Sequence, residues 1–214
     1  MPLCLCGYLC RVKEIAAILL AAGQSRRMGA FKPLLPFGDQ TVVEFCITNL
    51  RTGGINQIVV VVGHRADEIK KHLQSANVSF ALNPDPESEM SVSIARGVEQ
   101  VGKDAKALLI ALVDHPAVPT DTIKQIIGEW KRGAPLVQPE YNGRGGHPAL
   151  IDLKFRDELL HLDPQKGLRA FFNAHRDGVR RLPVDSPYVA RDMDTWEDYQ
   201  RLHWDVFGRP PEPT

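Results

Sequence analysis

Ile15-Ala16-Ala17-Ile18-Leu19-Leu20-Ala21-Ala22-Gly23-Gln24-Ser25-Arg26-Arg27-Met28-Gly29-Ala30-Phe31-Lys32-Pro33-Leu34 passes from an unbroken apolar run into a small-residue, basic loop. A run as short as Ile15–Ala21, apolar on both alternate faces, is the pattern of a strand buried on both sides in a parallel sheet. The loop that follows, Gly23–Gly38, opens on small residues, which let backbone N–H groups approach a ligand closely. Arg26, Arg27 and Lys32 set three cations within seven residues and can neutralise a polyphosphate. A solvated basic turn is the plainer alternative. Gly23 and Gly29 are six apart with Ala30 next, which excludes a G-x4-G-K-[ST] loop, and Ser25 stands where G-x-G-x-x-G needs its second glycine.

Outward from this stretch, strands and helices alternate. Thr41-Val42-Val43-Glu44 forms a capping box and opens a helix that Gly53-Gly54 closes. Gln57–Val62 reads as a strand, Ala66–Gln74 as a helix and Val78–Ala81 as a strand. After a polar loop, Asn83–Glu89, come a helix over Ser91–Val101 and a buried strand over Ala107–Val113. A helix over Thr120–Lys131 follows, with Ile123, Ile126, Ile127 and Trp130 at helical spacing. Leu136–Pro139 and His147–Ile151 flank a hairpin-type turn at Asn142-Gly143-Arg144-Gly145-Gly146. Short helices at Lys154–His161 and Gly167–His175, a strand at Val179–Val184 and a helix at Thr195–Trp204 complete the pattern. Strand–helix alternation implies a mostly parallel sheet covered on both faces, with the loops after the strands gathered on one ligand-binding edge. That edge collects Ala22–Lys32, Gly63–Arg65, Asn83 and Asp114. One domain is expected over residues 12–205, preceded by a disordered leader at 1–11 and followed by a frayed tail at 206–214.

Composition removes several classes. The 214 residues are 43% hydrophobic and 24% charged, an ordinary globular balance. Twenty-six Lys and Arg match 26 Asp and Glu, so there is no broad positive field for nucleic acid. No apolar run is long enough to span a membrane, and Met1–Cys10 lacks the features of a signal peptide, so the expected location is the cytoplasm. Cys4, Cys6, Cys10 and Cys46 have no zinc-type or redox-type spacing and are expected as reduced thiols.

The loop carries a resemblance. Leu20-Ala21-Ala22-Gly23-Gln24-Ser25-Arg26-Arg27-Met28-Gly29, followed by Lys32-Pro33, resembles the L-A-A-G-x-S-x-R-M-G-x-x-K signature of the nucleotidyltransferases, and among them looks most like the molybdenum cofactor cytidylyltransferases. The related guanylyltransferases usually carry Gly-Gly where this chain has Ala22-Gly23, which favours cytosine over guanine. The resemblance implies a single-domain, three-layer α/β/α Rossmann-like nucleotidyltransferase fold with a mostly parallel sheet. It implies that Ala21, Ala22, Gly23, Gln24 and Ser25 border the nucleotide, and that Arg27 and Lys32 hold the triphosphate.

Other segments extend it. Asp114-His115-Pro116 closes an apolar strand; a carboxylate there can cap the next segment, and by the resemblance Asp114 binds Mg²⁺, a hard ion suited to carboxylate and phosphate oxygens. Asp192-Met193-Asp194-Thr195-Trp196-Glu197-Asp198 resembles the family's late D-x-D-T-P-E-D segment, with Asp192 favoured over Asp194 as second metal ligand. Asn83-Pro84 and Met90–Gly97 resemble the N-P…G-M-x-x-S-L-x-x-G stretch with Glu89 in place of Gly. They bring Asn83 and Ser93 to the nucleotide, while Ser91 either touches it or caps a helix. Gly145-Gly146-His147-Pro148 resembles the G-x-P segment, and His147 either reaches the acceptor's phosphate or is structural. The expected reaction is Mg²⁺-dependent transfer of CMP from CTP to molybdopterin, with Arg27, Lys32 and Asp114 carrying it. A recipient molybdoenzyme or its chaperone is the expected partner. GTP as donor, a sugar or alcohol phosphate as acceptor, and a non-catalytic nucleotide or molybdopterin carrier are the alternatives.

Overall fold

A computed structural model describes residues 14–212; the expected leader and Cys4, Cys6 and Cys10 lie outside the described residues. In chain order the elements are β1 (Ile15–Ala21), β2 (Pro36–Phe37), β3 (Gln40–Thr41), α1 (Val42–Thr52), β4 (Gln57–Val62), α2 (Ala66–His72), β5 (Ser79–Leu82) and α3 (Met90–Gln100). They continue with β6 (Ala107–Leu112), α4 (Thr120–Lys131), β7 (Leu136–Tyr141), β8 (Arg144–Gly145), β9 (Ala149–Asp152), α5 (Arg156–Leu160), α6 (Gly167–Ala174), β10 (Val179–Pro183) and α7 (Trp196–Phe207).

β1 lies at the centre. The main sheet runs β10-β7-β9-β6-β1-β4-β5, with β8 paired to β7. β1 is parallel to both β4 and β6, β4 to β5, and β7 to β10. β9 runs against β6 and β7. All seven β1 residues are buried. Ile15, Ala17, Leu19 and Ala21 pack with the buried faces of α1, α2, α4 and α7. Ala16, Ile18 and Leu20 pack with those of α3, α5 and α6. A strand sends successive side chains to opposite faces, so an all-apolar strand requires two helical layers. The three-layer, mostly parallel α/β/α architecture is the one the sequence predicts.

Local chemistry sets the ends of the elements. Thr41 and Glu44 form the expected capping box, with the Thr41 N–H and hydroxyl each 2.8 Å from Glu44 Oε2. Thr195 and Asp198 do the same at the start of α7. The β7–β8 turn places Asn142 and Gly143 at φ of 49° and 77°, the left-handed pair that a two-residue hairpin of this twist needs.

Several boundaries differ from the sequence reading, and the turn expected at Asn142–Gly146 holds the short strand β8. The basic loop is not wholly irregular: Pro36–Phe37 and Gln40–Thr41 pair as a small hairpin, too short to leave a periodic signal. α2 stops at His72, two residues before the expected Gln74. α7 runs on to Phe207, through the start of the expected tail, because Phe207 packs edge-on against Phe37 and Phe45 with ring centroids 5.0 and 5.8 Å apart. Gly208 then ends the helix in the left-handed conformation. His203, 2% exposed, ties the hairpin to the chain end. It accepts from the Gly38 N–H at 3.2 Å and its Nδ1 faces the Arg209 carbonyl oxygen at 2.8 Å.

Candidate active site

The loops after β1, β5 and β6 meet at the C-terminal ends of these strands around a cavity of about 230 Å³. Ala22, Gly23, Ser25 and Lys32 line it from the first loop, Asn83 and Ser93 from the second and from α3, and Asp114 from the third. An adjoining hollow of about 320 Å³ is bounded by Gln24, Ser25, Arg26, Arg27, Lys32 and Asp194. The structure therefore gathers most of the residues singled out in the sequence. Ala21 is an exception: it is 2% exposed, faces the helical layer of α1, and lines neither space.

Backbone geometry shapes the loop. Ser25 has φ of 54°, a left-handed conformation that costs a non-glycine residue about 1 kcal/mol. In that pose its carbonyl accepts from the N–H groups of Met28 and Gly29 at 3.1 and 3.3 Å, and its hydroxyl accepts from the Lys32 N–H at 3.3 Å. The loop is folded back so that Lys32 returns to the strand end. Gly63, just past β4, lies against it: a Cβ there would sit 2.5 Å from the Ala22 carbonyl oxygen.

Each loop cation is paired with an acid. Lys32, its side chain only 10% exposed, places Nζ 2.8 Å from Asp194 Oδ1, and the far more exposed Arg27 contacts Asp194 Oδ2 at 2.7 Å. Arg26 pairs with Glu87 and hydrogen-bonds the Gln24 Oε1 at 2.8 Å. Gln24 in turn donates to the Pro86 carbonyl at 2.6 Å and to Glu87 at 3.1 Å. The Gln24–Arg26–Glu87 clasp thus joins the first loop to the second. Sequence reasoning missed Glu87, which shows only as one acid in a polar loop. Asn83 is an organiser of that second loop. Its amide nitrogen donates to Ser88 and Ser93 hydroxyls, both at 2.8 Å, and its oxygen accepts from the Asp85 N–H. Ser91 is buried in α3 with an unpartnered hydroxyl and is not the helix cap; Glu89 holds that position.

Asp114 is mostly buried, with Oδ1 out of solvent and without a hydrogen-bond partner. Burial raises its pKa; the cations of His115 and Lys32 oppose this, while Asp192 and Asp194 add to it. The loop carrying those acids is tied to Asp114 by the backbone, the Met193 N–H donating to the Asp114 carbonyl at 3.0 Å. Met193 is fully buried, so Asp192 and Asp194 flank it on separate partners. Asp194 goes to the basic loop. Asp192 Oδ1 lies 2.7 Å from His115 Nε2, a hydrogen bond that outweighs partial burial and lowers its pKa.

Among the described residues no group of three or more His, Cys, Asp or Glu side chains is arranged to hold a metal by itself. An orphaned carboxylate oxygen on Asp114 with a second carboxylate nearby fits a hard divalent ion that takes its remaining ligands from phosphate and water. Cys46 is buried, and burial, reinforced by the Asp114 charge, pushes its pKa up, so it is a thiol and no nucleophile.

His147 is not brought to the cavity. It lies beyond Asp114 against His115, ring centroids 5.8 Å apart, with Nδ1 3.4 Å from the Ile110 carbonyl oxygen. Burial, then the neighbouring His115 charge, lower its pKa to about 4, so the ring is neutral.

A mostly parallel α/β sheet with a cation-rich small-residue loop at its switch edge, facing a carboxylate, has the place and the charge for a phosphate-bearing ligand. Residues 17–179 match the MobA-like NTP transferase domain, and the chain belongs to that family. It is 30% identical over 191 residues to the molybdenum cofactor cytidylyltransferase of Escherichia coli (strain K12), covering 88% of this chain and 95% of that one. It is 26% identical over 197 residues to the nicotine blue oxidoreductase of Paenarthrobacter nicotinovorans, covering 88% and 96%. The crystal structure of Rv0371c from Mycobacterium tuberculosis H37Rv superposes with a TM-score of 0.79 at 30% identity, covering 88% of this chain and 96% of that one. A further structure of that protein is a complex with manganese, with a TM-score of 0.75 at 27% identity, covering 88% and 97%. No helix among the described residues is long and apolar enough to cross a membrane.

Proposed function

We propose that this chain transfers CMP from CTP to the phosphate of molybdopterin and releases pyrophosphate, in the cytoplasm. The observation that carries the reading is the meeting of Lys32 and Asp114 on one cavity walled by the Ala22-Gly23 turn. Ala22 in place of a glycine, and the 30% identity to a molybdenum cofactor cytidylyltransferase, support CTP as the donor. The relative named for nicotine blue oxidation shares the scaffold, but the acids and cations around this cavity suit phosphate chemistry.

In the proposed reaction an acceptor phosphate oxygen forms a bond to the α-phosphorus of CTP. The bond from that phosphorus to the bridging oxygen breaks, and pyrophosphate leaves with the electron pair. The attacking phosphate is already ionised near neutral pH, so no general base is needed. The protein's task is to position the reactants and offset charge. Ala22, Gly23, Ser25 and Ser93 border the nucleotide, with Gln24 and Asn83 shaping the loops around it. Lys32 and Arg27 exchange Asp194 for the triphosphate and the leaving pyrophosphate. Mg²⁺ held by Asp114 and Asp192 would supply Lewis-acid stabilisation of the phosphate oxygens. A recipient molybdoenzyme or its chaperone would take the product.

The test is incubation with CTP, molybdopterin and Mg²⁺, with the product identified by mass spectrometry. A cytosine dinucleotide of molybdopterin is expected. Asp114→Ala should abolish its formation with the circular dichroism spectrum intact; full activity in that variant would overturn the mechanism.

A further inference from the structure

The transfer chemistry uses Asp114 of the Asp114-His115-Pro116 turn and leaves the His115 side chain unused. That side chain is 4% exposed and lines neither the nucleotide cavity nor the adjoining hollow. It touches three segments at once. Nε2 lies 2.7 Å from Asp192 Oδ1 and 3.9 Å from Asp114 Oδ1. Nδ1 faces the Tyr188 carbonyl oxygen at 3.2 Å, and the ring edge meets His147. The ring is held from both nitrogens and cannot pivot without losing one contact.

We propose that His115 is a positioning residue: through Nε2 it fixes the Asp192 carboxylate beside Asp114, so that both acids converge on one divalent cation. This rests on the metal role proposed for Asp114 and Asp192. Asp192 is more than half exposed and lies on a loop outside any helix or strand, so without a partner it would sample several rotamers. The backbone bond from Met193 to Asp114 sets the register of the loop but leaves the Asp192 side chain free to turn. The His115 contact removes that freedom. Before nucleotide binds, Asp194 is held instead by Lys32 and Arg27. Fixing a ligand before the ion arrives spares the ordering cost at binding, which is how partners behind a ligand raise metal affinity, typically by 10- to 100-fold.

Side-chain length provides the discriminating test. The Gln amide nitrogen reaches about as far as the His Nε2, whereas that of Asn reaches only as far as Nδ1. His115→Gln therefore keeps the donor to Asp192, and His115→Asn keeps only the contact to Tyr188. Mn²⁺ alone is titrated into the full-length wild type, His115→Gln, His115→Asn, Asp192→Asn and the double variant His115→Asn/Asp192→Asn, and free Mn²⁺ is followed by electron paramagnetic resonance. The half-saturating Mg²⁺ concentration and the KM for CTP are measured alongside. His115→Asn should weaken Mn²⁺ binding and raise the half-saturating Mg²⁺ about tenfold, with the KM for CTP within about threefold of wild type. His115→Gln should recover most of this, and the double variant should be no worse than Asp192→Asn. Wild type without Mn²⁺ binding, Mn²⁺ binding unchanged in folded His115→Asn, or a Gln variant as weak as the Asn variant would overturn the proposal. If His115→Asn does not fold, the comparison of His115→Gln with Asp192→Asn decides: equal weakening overturns it. The Mn²⁺ titration needs neither nucleotide nor acceptor, so a failure of CMP transfer to molybdopterin would show separately.

Discussion

Asp114 sets the residue scale, because its position is poor for stability and suits the metal role proposed for it. A carboxylate whose pKa is raised by burial is held in the folded state against its preference, so removing its charge relieves the fold. Asp114→Asn should raise the Tm measured without metal while lowering turnover by about 100-fold or more; a lower Tm would show that the carboxylate is structural. His147 gives a pH signature. Its folded pKa of about 4 lies below the unfolded value near 6.5, so below pH 6.5 the unfolded chain binds the extra proton. The stability associated with the neutral ring is complete above 6.5 and is lost as the pH falls toward 4. Urea unfolding at pH 7 and pH 5 should show a loss that is smaller by about 2 kcal/mol in His147→Gln than in wild type, and equal losses would contradict the assignment. At this scale the sequence reads unevenly. Lys32 and Asp114 are legible because each closes a recognisable string. The pairing of Asp192 with His115 and of Asp194 with Lys32 is not, since it depends on how a loop some 80 to 160 residues away returns to the sheet edge.

The elements show why the loop after β1 matters. Gly23 and Gly63 both border it, with opposite surroundings. A Cβ on Gly23 would meet nothing within 4 Å, whereas one on Gly63 would press on the Ala22 backbone. Open space beside Gly23 belongs to the cavity, so Gly23→Ala should leave the Tm within about 2 °C of wild type and raise the KM for the nucleotide about tenfold. Gly63→Ala should destabilise by about 1–3 kcal/mol and lower kcat, since it moves the Ala22 backbone proposed to border the nucleotide. Thermal melts with steady-state kinetics on both variants check the pair; the opposite pattern would mean that the cavity is not the nucleotide's. The ends of α1 and α7 are legible because Thr41–Glu44 and Thr195–Asp198 are local capping boxes. The β2–β3 hairpin and the last turn of α7 are not, because Phe37, Phe45 and Phe207 meet only in three dimensions.

For the whole molecule, the apolar strands β1, β4 and β6 demand a layer of helices on each face, and alternation in sequence then leaves one sheet edge for ligands. That edge carries the basic loop, the Asn83-centred loop and Asp114 at once, which is why a fold inferred from strand pattern also predicts which loops share a cavity. The place of His147 is not legible in this way, since its ring packs against His115 rather than on the cavity. Mg²⁺-dependent pyrophosphate release with molybdopterin, measured separately with CTP, GTP, ATP and UTP, tests nucleotidyl transfer by this chain most directly. Release with CTP alone is the predicted result. Release with GTP in its place would contradict the reading of Ala22 while keeping the site, and no release with any of the four would contradict nucleotidyl transfer to this acceptor.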